Sequence, residues 1–346
     1  FVEMHGDGPS HANLYGQTLE FDLGGELRVT DGLARVGADL RFRGGSQLII
    51  ENGNTLIDLW GTTRFDATAQ LVVDGAYSSS ADLSFDNGTY GGSGRMHNNA
   101  SLEVSGLSTF NLSTTFDLDG TSEDGLVRVI NAGWFVVNAP TLEYSGEHTG
   151  FDGRIELMEG SRMTINTDAG QWDLDGTLWA ERDNIVYGDD IVLNGRLEGH
   201  SSFFSVNVEN RGVVAPGGAD ATGRFLVSVG NYFQQPNGTL EIEIAGTDAE
   251  SYDHIVVVDP FSGVANATLG GALTIRHIDG YVPETGDTFT LVSAPNLYGL
   301  FGSIDAPGYE IEYVDDTVVA TYVGSCDGDG NNDGNVDVTD LLTVLN

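Results

Sequence analysis

The feature that most constrains this chain is a succession of short strand-like segments over residues 1–215. Apolar and polar side chains alternate along each segment, and Gly, Asn or Asp then ends it. This alternation has the period of two residues that a β-strand gives, and the stretch contains no helical periodicity. The clearest segments are residues 19–23, 47–52, 70–75, 101–106, 162–166 and 171–176. The sequence therefore predicts an all-β fold.

One pattern recurs within this stretch. A small residue is followed by Leu or Met, by Ile or Val two positions later, and then by Asn, Asp or Gly, with the first apolar residue at Leu48, Leu71, Leu102 and Met163. A repeat of about 20–30 residues made only of strands and turns is typical of a β-solenoid. The alternative is a two-sheet sandwich, but a sandwich domain usually has about 100 residues. The pattern therefore favours a β-solenoid, similar to a right-handed β-helix, over residues 1–215.

A change of composition at residues 212–218 (GVVAPGG) introduces a second region. The strand-like segments after it are longer, as in residues 238–244 and 317–323. We predict a second all-β domain over residues 216–324. Its expected role is capping, because an open solenoid end exposes unpaired backbone and apolar core.

The order of motifs in this second region resembles a known module. The motifs are APGG, GNY, NGTLEIEIAG, YDHIVVV, ATLGGALTI, GYVPETGDTFTLV and LFGSI. They are similar to the C-terminal module of large secreted bacterial surface proteins that carry autotransporter-associated β-strand repeats. The resemblance implies a secreted, repetitive surface protein and implies no particular reaction. The region before it is similar to that family only in its general pattern.

The last 22 residues, 325–346, contain the one motif with specific chemistry. A calcium loop needs oxygen ligands at positions 1, 3, 5, 7, 9 and 12, and a Gly at position 6 for the sharp turn. A loop that begins at Asp329 meets every requirement, with Gly334 at position 6. The predicted Ca²⁺ ligands are Asp329, Asn331, Asp333, Asn335 through its backbone carbonyl, Asp337 through a water, and Asp340.

This loop resembles a single type I dockerin repeat. Position 12 is Asp340 rather than Glu, no helix is predicted before the loop, and Leu341, Leu342 and Leu345 predict a short helix after it. Dockerins normally carry two such repeats, and here there is one. The resemblance implies a cohesin-like partner; alternatively, the tail binds the body of the protein or a neighbouring subunit. Cys326 either pairs with a cysteine further along a precursor or stays a free thiol.

We expect the chain to be part of a longer precursor. It begins at Phe1 without an initiator Met, and it ends at Asn346 within the predicted helix.

The charge of the chain excludes several classes of function. All 14 basic residues are Arg, 52 residues are acidic, and the net charge is −38. Such a surface repels nucleic acids and anionic membranes. The absence of Lys excludes Schiff-base chemistry and a Walker P-loop. No apolar run reaches the roughly 18 residues of a membrane span, so we predict no membrane insertion.

Enzymatic activity is the less favoured hypothesis. Right-handed β-helices include polysaccharide lyases and hydrolases, and carboxylates two apart on a strand share one face. Asp173 with Asp175 is one such pair, but 52 acidic residues produce pairs of this kind by chance. Arg41 and Arg43 are the one close basic pair, and the histidines are scattered.

We therefore predict a non-enzymatic structural or adhesive protein that is secreted to a bacterial cell surface or extracellular matrix. Solenoid ends favour head-to-tail contacts, which build filaments when they do not close into rings. The expected assembly is a fibre or sheet of identical chains with calcium at a junction. The alternative is a polysaccharide-active or polysaccharide-binding β-helix attached to a scaffold through its dockerin-like tail. A groove lined by exposed aromatic residues would favour it, with Trp60, Trp134, Trp172 and Trp179 as candidates.

Overall fold

A computed structural model describes most of the chain and contains only β-strands and their connections. The described residues are 2–5, 12–22, 24–31, 33–50, 55–58, 62–65, 70–73, 76–79, 82–86, 89–92, 95–98, 102–105, 107–112, 116–117, 126–129, 134–138, 142–143, 154–166, 170–174, 176–261 and 263–324. The prediction of an all-β fold is confirmed for these residues, and none of them is in a helix. The predicted calcium loop and helix, residues 325–346, lie outside them.

The chain divides into two compact units, Phe1–Arg196 (unit 1) and Leu197–Asn346 (unit 2). The domain boundaries drawn from the sequence, after residues 215 and 324, remain predictions.

The strands of unit 1 are short and numerous. They are β1 Val2–His5, β2 Ala12–Phe21, β3 Glu26–Asp31, β4 Leu33–Phe42, β5 Gln47–Ile50, β6 Thr55–Asp58, β7 Thr62–Phe65, β8 Gln70–Val73, β9 Ala76–Ser79, β10 Asp82–Asp86, β11 Thr89–Gly92, β12 Arg95–Asn98, β13 Leu102–Ser105, β14 Leu107–Leu112, β15 Phe116–Asp117, β16 Leu126–Val129, β17 Trp134–Asn138, β18 Leu142–Glu143, β19 Arg154–Leu157, β20 Arg162–Asn166, β21 Gln171–Leu174, β22 Thr177–Gly188 and β23 Asp190–Leu193.

Parallel pairing in unit 1 arranges most of these strands in three columns within a large curled sheet. From β5 to β20, each strand pairs with the strand three places along the chain. Column A runs β3–β5–β8–β11–β14–β17–β20, column B runs β4–β6–β9–β12–β15–β18, and column C runs β4–β7–β10–β13–β16–β19–β22. The long strand β4 contributes to columns B and C because it pairs with β6 at its start and with β7 at its end.

The core of unit 1 follows from this register. In column A, Leu27 aligns with Leu48 and Leu48 with Leu71, and all three are buried. Parallel pairing places the side chains of aligned residues directly above one another, so each column stacks apolar side chains at the spacing of adjacent strands.

The most regular stack is a phenylalanine column of four residues, which joins Phe21 of β2 to three residues of column C. The rings of Phe21, Phe42, Phe65 and Phe85 follow one another at centroid distances of 4.9, 5.0 and 5.0 Å and are nearly parallel. Tyr90 packs against Phe85 edge-on, at 4.6 Å. The ring spacing matches the roughly 4.7–4.9 Å between hydrogen-bonded strands. The side chains therefore repeat at the same interval as the backbone.

Unit 2 contains the remaining strands. They are β24 Arg196–Phe204, β25 Val208–Asn210, β26 Val213–Pro216, β27 Arg224–Ser228, β28 Tyr232–Gln234, β29 Thr239–Ile244, β30 His254–Val258, β31 Asn266–Leu269, β32 Ala272–His277, β33 Thr288–Ser293, β34 Asn296–Gly299, β35 Ser303–Asp305, β36 Tyr309–Val314 and β37 Thr317–Tyr322. From β24 to β35 they again pair in parallel three places apart, as β24–β27–β30–β33, β25–β28–β31–β34 and β26–β29–β32–β35.

An asparagine ladder links successive connections of unit 2. The Asn207 Oδ1 accepts from the Asn231 backbone N–H at 2.9 Å and from its Nδ2 at 2.7 Å. The Asn231 Oδ1 accepts the same two bonds from Asn266, both at 2.9 Å. The Asn296 Nδ2 donates to the carbonyl of Ala265 at 3.2 Å. The ladder satisfies backbone groups at the turns, where strand pairing is interrupted.

Glycine is required where the turns stack closely. Gly271 has φ +60°, and a Cβ atom there would lie 2.0 Å from the carbonyl oxygen of Gly238. The backbone of Gly238 also accepts a bond from Ala272 N–H at 2.9 Å. A side chain at this position would therefore separate neighbouring turns.

The parallel pattern ends in an antiparallel hairpin. Strand β37 pairs antiparallel with β36 on one side and with β33 on the other. Along β37 the buried residues Val318 and Ala320 alternate with less buried ones.

Candidate functional site

The calcium ligands predicted from the sequence lie outside the described residues. Within the described residues, no group of three or more His, Cys, Asp or Glu side chains is placed to hold a metal ion. The same part of the chain has no helix that could cross a membrane.

Of the four tryptophans proposed to line a sugar groove, the structure describes the side chains of two. Trp172 is a core residue, 3% exposed, and Trp179 is half-buried. Trp60 and the side chain of Trp134 lie outside the described residues. Core packing therefore accounts for Trp172.

The one close arginine pair shares a single carboxylate. Arg41 Nη1 lies 3.1 Å and Arg43 Nη2 3.5 Å from Oε1 of Glu20, on the neighbouring strand β2. The structure does not describe the geometry of the suggested pair Asp173 and Asp175, because Asp175 lies outside the described residues. Asp173 is exposed on β21.

The structure instead identifies a buried carboxylate in unit 2 that the sequence does not single out. Glu243 on β29 is 2% exposed and forms an ion pair with Arg276, its register partner on β32. Its Oε1 also accepts from Asp220 N–H at 3.1 Å, and its Oε2 accepts from Ala221 N–H at 2.8 Å. One carboxylate thus fixes the loop before β27 and neutralises an arginine.

A second buried acidic side chain, Asp253, binds the end of the same loop. Its Oδ1 accepts from Gly223 N–H at 2.6 Å, and its Oδ2 accepts from Glu243 N–H at 2.9 Å. Burial raises the pKa of Asp253 to about 9, although the two N–H donors act in the opposite direction. The proximity of Glu243 adds to the increase, and Arg276 opposes it. Together, Glu243 and Asp253 form what we call the carboxylate clasp.

Two glycines let the loop reach the clasp. Gly217 has φ +85°, and a Cβ atom there would lie 1.9 Å from the carbonyl oxygen of Ala221. A Cβ atom on Gly223 would lie 2.1 Å from the Gly217 nitrogen. Every polar contact of the clasp is directed to backbone N–H groups or to Arg276, so the arrangement supports a structural role.

A second cluster in unit 2 brings together polar aromatic side chains, and we call it the tyrosine–histidine cluster. His277 Nε2 lies 2.7 Å from the Tyr309 hydroxyl, and the Tyr281 hydroxyl donates to Oδ2 of Asp287 at 2.9 Å. The His277 ring lies 6.2 Å from that of Tyr281 and 5.7 Å from that of Tyr309, and Tyr322 packs 5.2 Å from Tyr309. Four chain segments therefore converge on one small surface region.

The ends of three strands and one connection between strands create this convergence. His277 ends β32, Tyr309 begins β36 and Tyr322 ends β37 directly opposite Tyr309. Tyr281 and Asp287 lie on the connection from β32 to β33, where Glu284 N–H also donates to Asp287 at 2.8 Å. The buried ring of Phe289 supports Tyr309 from below, at 5.9 Å.

The environment shifts the pKa of three members of the cluster. Desolvation raises the pKa of Tyr281 to about 12, and its hydrogen bond to Asp287 adds to the increase. Desolvation also raises the pKa of Tyr309, with further contributions from Tyr281, Tyr322 and Asp287. Burial lowers the pKa of His277. At neutral pH the phenols therefore keep their protons and the imidazole is neutral.

Neither cluster was identified from the sequence. Glu241 and Glu243 look equivalent in the run Leu-Glu-Ile-Glu-Ile, yet Glu241 is half-buried and Glu243 is buried. Arg276, on a later strand, indicates that one of these glutamates has a basic partner. Only the strand register shows that this glutamate is Glu243.

Comparison with known proteins finds no family model that matches the chain, and no curated protein matches it.

Proposed function

We propose that this protein is a non-enzymatic structural or adhesive β-solenoid, secreted to a bacterial cell surface or matrix, that assembles with copies of itself and uses calcium at a junction. The observation that carries the proposal is the parallel pairing of strands three places apart. It repeats from β5 to β20 and again from β24 to β35 within each unit. Such pairing is what a coil with three strands per turn requires, and long repetitive stacks suit a mechanical role.

The phenylalanine column supports the same proposal. Neighbouring ring centroids are 4.9–5.0 Å apart, and this spacing requires that each turn of the coil place one phenylalanine at the same position. Phe21, Phe42, Phe65 and Phe85 are separated by 21, 23 and 20 residues in the sequence. A turn of this length matches the repeat inferred from the sequence.

Self-assembly is supported by the last parallel strands of unit 2. Among the described strands, β34 pairs with β31 and β35 with β32, and no further parallel partner follows. Exposed apolar side chains accompany them, with Tyr298 at 55%, Leu300 at 62% and Ile304 at 46%. Edge strands with apolar side chains favour contact with another chain.

Calcium and ionic strength should control this contact. A chain with net charge −38 repels its own copies unless salt screens the charge or divalent ions bridge it. The loop from Asp329 to Asp340 supplies the proposed Ca²⁺ ligands. The resemblance to a dockerin repeat supports an alternative, in which the same loop binds a cohesin-like partner.

The test is electron microscopy and size-exclusion chromatography of the purified chain in millimolar CaCl₂, in MgCl₂ and in EDTA. We expect fibres or large oligomers in calcium only, and Asp340→Asn should abolish them, whereas Asp248→Asn, an exposed aspartate of unit 2, should not. Ile304→Lys should also prevent assembly, and Val264→Lys, at a residue that is likewise exposed, should leave it intact. A monomer in calcium, or sustained turnover of acidic glycans, would contradict the proposal.

A further inference from the structure

We propose that the tyrosine–histidine cluster is a binding site for ferric iron, with Tyr281, Tyr309, Asp287 and His277 as its ligands. This inference does not depend on the structural role proposed above. It rests on the spacing, the charge and the surroundings of these four side chains.

The spacing of the donor atoms suits adjacent positions around one metal. Bonds of about 2.0–2.1 Å from a metal to oxygen or nitrogen place two ligands at right angles about 2.9 Å apart. The pair His277 Nε2 and Tyr309 Oη is separated by 2.7 Å, and the pair Tyr281 Oη and Asp287 Oδ2 by 2.9 Å. Both hydrogen-bonded pairs therefore already have the separation of neighbouring ligands.

The two pairs are close to one another. The ring centroid of His277 lies 6.2 Å from that of Tyr281 and 5.7 Å from that of Tyr309. His277 therefore packs against both phenol rings.

The charge of the donor set selects a hard trivalent ion. Two phenolates and one carboxylate carry three negative charges, and a neutral imidazole completes the set, so Fe³⁺ gives a neutral site. Oxygen donors favour hard cations, and imidazole is also a common ligand of iron. Each phenol loses its proton when its oxygen binds the metal, so binding one Fe³⁺ releases two protons to solvent.

The surroundings also favour a cation. Residues 216–324 contain 15 acidic residues and two arginines, Arg224 and Arg276. Arg276 precedes His277, but its guanidinium is bound to Glu243. Because successive side chains of a strand point to opposite faces, its charge is directed away from the cluster.

The cluster is built into the fold and does not sit on a free loop. Tyr309 packs on buried Phe289, and a Cβ atom on Gly308 would lie 2.7 Å from the Tyr322 ring. The Tyr322 N–H donates to the Asp287 carbonyl at 2.8 Å. The ligands are thus held on or beside strands β32, β33, β36 and β37.

The experiment is a titration of the full chain with Fe³⁺ supplied as its nitrilotriacetate complex, in the presence of saturating Ca²⁺. A tyrosine–iron site gives a visible phenolate-to-iron charge-transfer band, which carboxylate sites such as the calcium loop do not give. We expect the band to saturate at one iron per chain. Tyr281→Phe and Tyr309→Phe should each weaken binding by at least about 100-fold, since even outer-shell partners of metal ligands contribute about 10–100-fold.

The matched control is Tyr298→Phe, because Tyr298 is an exposed tyrosine of unit 2 outside the cluster. This variant should keep the band and the affinity. Substitution with Phe retains the aromatic packing, and the urea midpoint of each variant will show that it is folded. The absence of a band, iron bound without one, or an unchanged band in the Tyr281→Phe, Tyr309→Phe double variant would each overturn the assignment.

Discussion

Unit 1 and unit 2 pair their strands in the same parallel manner and both stack apolar side chains, but unit 2 adds a ladder of asparagine side chains. In unit 1 the repeated element is apolar, and Phe42 and Phe65 stack as buried rings 5.0 Å apart. In unit 2 aligned apolar residues such as Leu240 and Leu273 are buried as well, and polar contacts accompany them, as in the bond from Asn231 to Asn207. The comparison shows that polar side chains at equivalent positions can form a ladder beside an apolar stack in this backbone pattern.

The largest expected effect is on the apolar stack. Phe65→Ala removes the ring between Phe42 and Phe85 and leaves a cavity in unit 1, so we expect a loss of about 3–5 kcal/mol in the free energy of unfolding. Urea unfolding followed by circular dichroism measures it. Phe261→Ala, at a ring that is 80% exposed, should change the midpoint little. Equal effects of the two substitutions would show that the column does not stabilise unit 1.

The second effect tests the carboxylate clasp through pH. The pKa of Asp253 is about 9 in the folded chain and 3.8 ordinarily, so between these values the folded chain keeps a proton that the unfolded chain has lost. This stabilisation is complete below about pH 4 and is lost as the pH rises towards 9, by up to about 1.4 kcal/mol per pH unit. The side chain of the Asp253→Asn variant does not titrate. The difference in free energy of unfolding between this variant and the native chain should therefore change by about 3 kcal/mol between pH 6 and 8. A constant difference in urea midpoint would contradict the raised pKa.

The third effect compares two ion pairs of unit 2, one with a buried carboxylate and one with a partly exposed carboxylate. Arg276→Gln leaves the buried carboxylate of Glu243 without its cation, and we expect a loss of about 1.5–3 kcal/mol. Arg211→Gln breaks a solvent-accessible pair with Glu209, 2.8 Å long, and should cost about 0–1 kcal/mol. Urea unfolding at pH 7 compares the two. If they destabilise equally, burial does not strengthen the clasp.

The smallest effect concerns the asparagine ladder. Asn231→Ala removes bonds to both Asn207 and Asn266, and we expect a loss of about 1–2 kcal/mol. Asn296→Ala loses a single side-chain bond of 3.2 Å and should have about half that effect. The same urea experiment measures both. A larger loss at Asn296 would show that the ladder does not act as a series of equivalent steps.

Part of the repeat was predictable, and part of it was assigned incorrectly. The motif anchored at Leu48 and Leu71 is confirmed, because these residues are register partners in column A. Leu102 was placed in the same series, but it belongs to column C, where it aligns with Leu83. The motif could not distinguish the columns, since strands in all three columns carry the same alternation of apolar and polar residues. The regular spacing of Phe21, Phe42, Phe65 and Phe85 is a stronger signal of the repeat than this motif.

The candidate sites were less predictable than the strands. The calcium loop is a local motif and can be proposed from sequence alone, whereas the tyrosine–histidine cluster joins residues from His277 to Tyr322. No local spacing marks these residues, because the hairpin of β36 and β37 brings them together.

The sequence by itself determined the all-β fold, the tight glycine turns and the acidic character of the chain, because alternation, turn conformation and charge are local or compositional properties. Only the tertiary structure decided which strand lies in which column, which of Glu241 and Glu243 is buried, and which phenols meet an imidazole. These outcomes depend on register between residues about 20 or more positions apart, and a shift of register by one residue exchanges the buried and exposed faces of a strand.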